Sequence, residues 1–224
     1  MQMPKVIIFD VNETLLDLAP LRYSVGQALP DGEQYLSLWF STMLHYSLVE
    51  TLSGDYHGFG EIGTAALMMV AASKGIELDP EVASEAIAGT ITKLPAHPDV
   101  VPALQTLAKL DARLVSLSNS SKAGLAAQFE YAGLTKYFDR CFSVEDVRAY
   151  KPDPRPYRWV LEQMGVQAED ALMVAAHAWD LAGAKAVGMQ TAFIQRPGAV
   201  AYPLGAQPDY IVKNLPQLVD LLDV

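Results

Sequence analysis

An aspartate closes a run of apolar residues near the start of the chain. Asp10 follows Val6-Ile7-Ile8-Phe9 and precedes Val11-Asn12-Glu13-Thr14. A carboxylate at the carboxyl end of a buried strand sits there at a desolvation cost, so chemistry is the first explanation to test. Thr14, four residues on, offers a hydroxyl to that carboxylate. The position two residues after Asp10, where a second acid would serve as proton donor, is Asn12. A nucleophile without an acid partner narrows the reaction. Three more polar clusters follow: Ser118-Asn119-Ser120, Lys151 within Ala149-Tyr150-Lys151-Pro152-Asp153-Pro154, and His177-Ala178-Trp179-Asp180. An Asp loop, a Ser/Asn end, a Lys-Pro turn and a late Asp, in this order, form a specific set.

Four such clusters meet only if one sheet brings them to the same edge. Arg113 to Leu117, Ala171 to Ala175 and Thr191 to Ile194 are continuous β-rich runs, as strands buried on both faces are. Helices with readable ends lie between them. Ser121 caps one that stops at Gly133, and Asp153-Pro154 opens another that stops at Gly165. Alternation of strand and helix predicts an α/β fold with a doubly wound parallel sheet, in which ligands bind at the carboxyl ends of the strands.

Residues 17–96 read differently, with helical periodicity over Tyr35 to Leu52, Gly60 to Lys74 and Pro80 to Ile91 and no convincing strand. They are expected to form an inserted helical cap. Pro95, Pro98 and Pro102 mark the return crossing, with the second hinge near residues 94–99. The catalytic core is then discontinuous, made of residues 1–16 and 97–224.

Composition excludes several classes of function. At 224 residues with 51% hydrophobic and 19% charged residues, the chain is globular and long enough for a core plus a lid. Its net charge of −10, without a basic run, gives no footprint for nucleic acid. An anionic substrate would need local positive groups to overcome that field. The longest apolar stretch, Ala65 to Ala72, is far below the roughly 20 residues of a membrane span. The N-terminus lacks the features of a signal peptide, and a cytoplasmic location is expected. The single cysteine, Cys141, excludes an internal disulfide and reads as core filler.

The stretches Phe9-Asp10-Val11-Asn12-Glu13-Thr14-Leu15, Leu117-Ser118-Asn119-Ser120, Tyr150-Lys151-Pro152-Asp153-Pro154-Arg155-Pro156-Tyr157 and His177-Ala178-Trp179-Asp180-Leu181-Ala182-Gly183-Ala184 resemble the haloacid dehalogenase superfamily. Within it, they resemble the type II L-2-haloacid dehalogenases. The resemblance covers nearly the whole chain, including the helical insert. It implies that Asp10 displaces halide from an sp³ carbon of a 2-haloalkanoic acid, giving an aspartyl ester that water hydrolyses. Phosphatases of the superfamily use the acid two residues later to protonate an alkoxide and hold Mg²⁺ between acidic loops. Asn12 cannot make that proton transfer, whereas a halide needs no general acid. Ala175 and Ala176 stand where a metal-dependent relative tends to keep another acid, so neither metal nor other cofactor is expected.

The resemblance also implies roles. Lys151 keeps Asp10 ionised, Ser118 and Asn119 hold the substrate carboxylate, Thr14 hydrogen-bonds the nucleophile, and Asp180 pairs with Lys151 and positions water. His177, with an ordinary pKa of about 6.5, either activates water or shapes the pocket. Tyr157 either points its hydroxyl back to the site or packs. One departure concerns the cap: type II enzymes carry an arginine directly after the tryptophan matching Trp39, where this chain has Phe40, and no arginine occurs between Arg22 and Arg113. Either His45, Lys93 or Arg22 substitutes, or the substrate differs, for example a small heterocyclic acid opened through the same ester. Trp39, Phe40, Tyr46 and Trp179 could line an aromatic pocket. The expected partner is a small anionic substrate, and a homodimer through the lid is left open.

Overall fold

The computed structural model describes residues 3–222, so residues 1, 2, 223 and 224 of the expected core lie outside the described residues. Six strands form one wholly parallel sheet: β1 (Val6–Phe9), β2 (Arg113–Ser118), β3 (Arg140–Ser143), β4 (Ala171–Ala175), β5 (Gln190–Ile194) and β6 (Tyr210–Val212). Their order across the sheet is β3-β2-β1-β4-β5-β6. Val6 to Phe9 are fully buried, because β1 lies between β2 and β4 with both faces covered. The chain winds outward from β1 through β2 to β3, then returns to place β4 on the other side. The loop after β1 therefore opens at the switch in winding direction, where a crevice forms at the strands' carboxyl ends.

The two helices read from their caps form as the sequence dictates. Ser121 accepts from Gly124 N at the start of α6 (Lys122–Tyr131), and Asp153 accepts from Arg155 N at the start of α7 (Pro154–Met164). Gly165 ends α7 in a left-handed conformation at φ 64°, which glycine adopts without steric cost. The remaining helices of this part are α5 (Val100–Leu107), α8 (Ala178–Ala186) and α9 (Leu215–Leu222).

Between β1 and α5 the chain makes α1 (Ala19–Ala28), α2 (Leu36–Ser53), α3 (Phe59–Ser73) and α4 (Pro80–Ile91), with no named strand. The two crossings that join this segment to the sheet run side by side. Asp17 N donates to Pro95 O at 2.8 Å, and His97 N donates to Leu15 O at 2.9 Å. Among the described residues no helix is long and apolar enough to cross a membrane.

Two expectations need correction. Cys141 is exposed on β3, because that edge strand turns Phe142 inward and Cys141 outward. Tyr46 is also exposed and pairs edge-on with His45, away from any aromatic pocket.

Trp39 of α2 fixes the helical segment. It is buried at 3% exposure, and its indole Nε1–H donates to Gly63 O of α3 at 2.9 Å. A Cβ at Gly63 would lie 3.1 Å from Met43 Sδ, so the absence of a side chain lets α2 and α3 approach closely. Trp39→Ala removes the ring and orphans that carbonyl, and should lower the unfolding free energy by about 3–5 kcal/mol in urea titrations.

Candidate active site

Asp10 follows β1 directly, and its own N–H donates to Val174 O of β4 at 3.0 Å, fixing the backbone at the mouth of the crevice. The loop then turns back on itself, with Leu15 N and Leu16 N both donating to Val11 O. That tight turn puts Glu13 in the left-handed region at φ 63° and aims Thr14 at Asp10. Thr14 Oγ1 donates to Asp10 Oδ2 at 2.6 Å and accepts from Ala176 N at 2.9 Å, tying the loop to the end of β4. Arg196 adds a clamp, with Nε and Nη2 both donating to Thr14 O.

Lys151 reaches Asp10 from the long loop after β3. Its ammonium is buried and donates to Asp10 Oδ1 at 2.9 Å, Asp180 Oδ2 at 2.6 Å and Leu117 O at 2.9 Å. All three of its donors are used. Lys151 is 1% exposed, Asp180 0% and Asp10 5%, so this is an ion cluster within the protein interior. Asp180, on the first turn of α8, also accepts from Tyr157 Oη at 2.5 Å through Oδ1. A Cβ on Gly183 would meet Tyr157 Oη at 2.7 Å, so a glycine one turn on makes room for that hydroxyl.

Burial alone would push each of these groups toward its neutral form. For Asp10 the Lys151 and His177 charges overcome that desolvation and hold the carboxyl far below the ordinary carboxylate range. Burial likewise disfavours the Lys151 ammonium, but Asp10 and Asp180 together raise its pKa. Burial wins at Asp180: aided by the nearby Asp10 charge and opposed by Lys151, it raises that carboxyl. The more anionic of the two acids is therefore the one at the crevice.

His177 caps α8 and stands between two carboxylates. Its Nδ1 lies 3.2 Å from Asp10 Oδ2 and its Nε2 2.8 Å from Glu13 Oε2. A neutral imidazole has one N–H, so donation to both acceptors requires the imidazolium. Burial opposes that charge, but the hydrogen bonds to Asp10 and Glu13 push the pKa up to about 9. Glu13 in turn accepts from Arg22 Nη2 at 2.6 Å. Burial raises the Glu13 carboxyl, while His177 and Arg22 outweigh it and bring its pKa below the ordinary value. His177 lies against both Phe40, with centroids 6.1 Å apart, and Trp179, at 5.0 Å.

Asp10, Asn119, His177, Phe40, Phe59 and Trp179 line a small cavity, together with Asn12 and Leu44. Asn119 Oδ1 accepts from Lys151 N at 3.1 Å, while its buried Nδ2 has no partner and remains a donor at this wall. Asn12 touches the cavity but spends its amide on Ser120 Oγ and Gln128 Nε2. The other expected residues stand behind this lining. Ser118 Oγ accepts from Ser120 N at 3.1 Å, so its oxygen shapes the loop. Thr14 and Tyr157 orient the two acids, and Trp39 lines a neighbouring chamber. His45 and Lys93 are exposed and outside the lining, whereas Arg22 lies behind Glu13. Glu13, Leu44, Phe59 and the Leu117 carbonyl were not singled out in the sequence. Glu13 carries no spacing signal beyond adjacency to Thr14, and the left-handed turn that aims it cannot be read from an Asn-Glu-Thr string. Among the described residues no group of three or more His, Cys, Asp or Glu is placed to share a metal ion.

A parallel sheet with a carboxylate nucleophile candidate at its switch point and a buried lysine beside it defines a class. A model of haloacid dehalogenase-like hydrolases matches residues 4–188, and the chain belongs to that family. It is 31% identical to the (S)-2-haloacid dehalogenase of Pseudomonas sp. (strain YL), over 98% of this chain and 94% of that one. It is also 31% identical to haloacetate dehalogenase H-2 of Moraxella sp. (strain B), over 98% of both. Among solved structures, the L-2-haloacid dehalogenase from Xanthobacter autotrophicus superposes with a TM-score of 0.90 at 28% identity, covering 99% of each chain. A second structure of that protein carries covalently bound chloropropionic acid.

The raised His177 pKa has a stability consequence. A group whose folded pKa exceeds its unfolded value stabilises fully below the unfolded value, and that stabilisation is lost as pH rises through the folded one. The imidazolium contribution should fade between about pH 6.5 and 9, by on the order of 3 kcal/mol. Urea unfolding across that window should show the loss in the native protein and its absence in His177→Gln.

Proposed function

We propose that this protein is a metal-independent hydrolytic dehalogenase acting on 2-haloalkanoic acids, such as haloacetates and L-2-halopropionate, and releasing 2-hydroxy acids. The observation that carries the reading is the fully coordinated Lys151 ammonium between Asp10 and Asp180. It supplies beside the nucleophile the fixed positive charge that a divalent ion supplies in a metal-dependent site. The named activities of the Pseudomonas and Moraxella relatives and the covalent adduct in the Xanthobacter structure support the same reaction.

In this reading Asp10 attacks C2 of the substrate in line with the carbon-halogen bond. The new C–O bond forms as the halide leaves with the bonding pair, and C2 inverts. Oδ1 accepts one hydrogen bond and Oδ2 two, so Oδ1 keeps the less engaged lone pair and is the attacking atom. Asn119 Nδ2 donates to the substrate carboxylate, and the His177 imidazolium supplies the cation that Phe40 does not. Lys151, matched on all sides, holds Asp10 ionised. The Phe40, Phe59 and Trp179 rings exclude water from the first step.

Water then attacks the ester carbonyl of Asp10. One water proton goes to a base, the acyl C–O bond breaks, and the alkoxide of the hydroxy acid takes up a proton. Alkylation of Asp10 cancels one of the two charges that hold the proton on His177. The imidazole can then become the base, with Asp180 and Tyr157 fixing the water. Residues 17–96 act as a lid over a core of residues 1–16 and 97–224, because Phe40 and Phe59 reach the cavity from that segment. The exposed Cys141 thiol fits a reducing, cytoplasmic setting, and exposed Leu48, Val49 and Leu52 on α2 fit pairing of two copies through the lid.

The test is halide release from chloro-, bromo- and fluoroacetate and from both 2-chloropropionate enantiomers, with and without EDTA. Release should favour the L enantiomer, survive EDTA and vanish in Asp10→Asn. His177→Asn should slow the second step, so that covalent ester accumulates on the protein. Halide release that requires added Mg²⁺, or phosphate release from phosphomonoesters in its place, would contradict the proposal.

A further inference from the structure

Glu13 precedes Thr14 in a conformation that a glutamate adopts only under strain, since its φ of 63° lies in the left-handed region. The turn is locked from both sides. Glu13 N donates to Leu16 O at 2.9 Å, and His97 Nε2 donates to Glu13 O at 3.0 Å. A glycine would hold that turn, and aim Thr14, without strain, so the glutamate side chain needs a reason of its own. That side chain is 26% exposed and divides its two oxygens: Oε1 accepts from Arg22 Nη2 at 2.6 Å, and Oε2 lies 2.8 Å from His177 Nε2. An ionised carboxylate only accepts. The proton between the two groups therefore belongs to Nε2, and the other ring nitrogen, Nδ1, is the one that faces Asp10 Oδ2 at 3.2 Å.

Resting on the reaction given above, we propose that Glu13 is a positioning residue: it keeps one proton on Nε2 of His177 through both chemical steps, so that Nδ1 alone loses and regains a proton beside Asp10. Before the first step Nδ1–H donates to Oδ2. The bond from Oδ1 to C2 forms, the halide leaves with the carbon-halogen pair, and Asp10 becomes a neutral ester. Nδ1 then gives its proton to solvent, and this is the one net proton released when a carbon-halogen bond is hydrolysed. The freed lone pair takes a proton from the attacking water as the water oxygen bonds to the acyl carbon. The acyl C–O bond breaks, and the alkoxide takes the proton of the new carboxyl group. The hydroxy acid leaves with the Asp10 carboxylate and the imidazolium both restored. Without a fixed acceptor at Nε2, a neutral imidazole could carry its proton on Nδ1 and present no lone pair to the water.

The charges around the ring are few. Asp10 and Glu13 touch it directly, Lys151 and Asp180 act from behind Asp10, and Arg22 acts from behind Glu13. Arg196 lines the outer space that Glu13 and His177 share, and Phe40 and Trp179 stack against the imidazole without charge. The experiment follows kcat/KM for halide release from (S)-2-chloropropionate against pH, in the native enzyme and in Glu13→Gln, which keeps the shape and removes the charge. Rapid quenching and mass spectrometry measure the ester on Asp10. In the native enzyme kcat/KM should fall as pH rises through about 9, where His177 gives up its charge. In Glu13→Gln that fall should move down by about one pH unit or more, and ester hydrolysis should slow about tenfold or more, so that ester accumulates. A side chain that only braced the turn would lower the rate equally at every pH and leave the midpoint in place. ¹⁵N NMR of histidine-labelled native protein reads the same claim without a substitution: above the midpoint, the remaining ring proton of His177 should sit on Nε2. An unmoved midpoint or native-rate ester hydrolysis in folded Glu13→Gln, or a neutral His177 protonated at Nδ1, overturns the inference alone. No halide release from the native enzyme at any pH overturns the reaction and the inference together.

Discussion

One ammonium group organises this protein. Lys151 Nζ is buried where an unpaired charge would cost several kcal/mol, and it survives because three acceptors converge on it from separate parts of the fold. Asp10 comes from the end of β1, the Leu117 carbonyl from β2, Asp180 from α8, and the lysine itself from the loop after β3. Parallel strands bring these groups to one edge, and the switch in winding direction beside β1 opens the space they face. The same contacts that make the cluster tolerable hold Asp10 anionic in surroundings that would otherwise protonate it. Structural satisfaction and chemical readiness are thus one set of hydrogen bonds.

A second chain of charges links this cluster to the helical segment. Asp10, His177, Glu13 and Arg22 alternate in sign from the interior to α1, with separations of 3.2, 2.8 and 2.6 Å. Three carboxylates, counting Asp180, are matched by three cations, counting Lys151. An anionic substrate therefore enters a site that is locally neutral within a protein of net charge −10. Phe40 stands where the resemblance to type II enzymes implies a cap arginine, and His177 stacks on that ring between two acids. In the proposed reaction the cation comes from the core, through a histidine held between Asp10 and Glu13.

The chemistry was legible where residue type and strand ends coincide. Asp10, Lys151 and Asp180 stood out because charged residues beside apolar strands or in tight turns need a reason, and the caps at Ser121 and Asp153 marked helices with accuracy. Less was legible where tertiary context decides. β3 and β6 are short edge strands with mixed burial, so neither carries the continuous apolar run that revealed β2, β4 and β5. The division of labour between Ser118 and Asn119 depends on which side chain the loop turns outward, and neighbouring polar residues do not encode that. His177 was visible as a candidate, but its charge state depends on Glu13, and only the fold brings their side chains together.

The central claim is that the Asp10 carboxylate, steadied by Lys151, forms a bond to the substrate carbon. A single turnover with excess enzyme in ¹⁸O-labelled water, followed by mass spectrometry of both product and the Asp10 peptide, tests it most directly. The account predicts an unlabelled hydroxy acid in that first turnover and one ¹⁸O atom left on Asp10. Product carrying ¹⁸O with Asp10 unlabelled would mean that water attacks the carbon itself, and would contradict it.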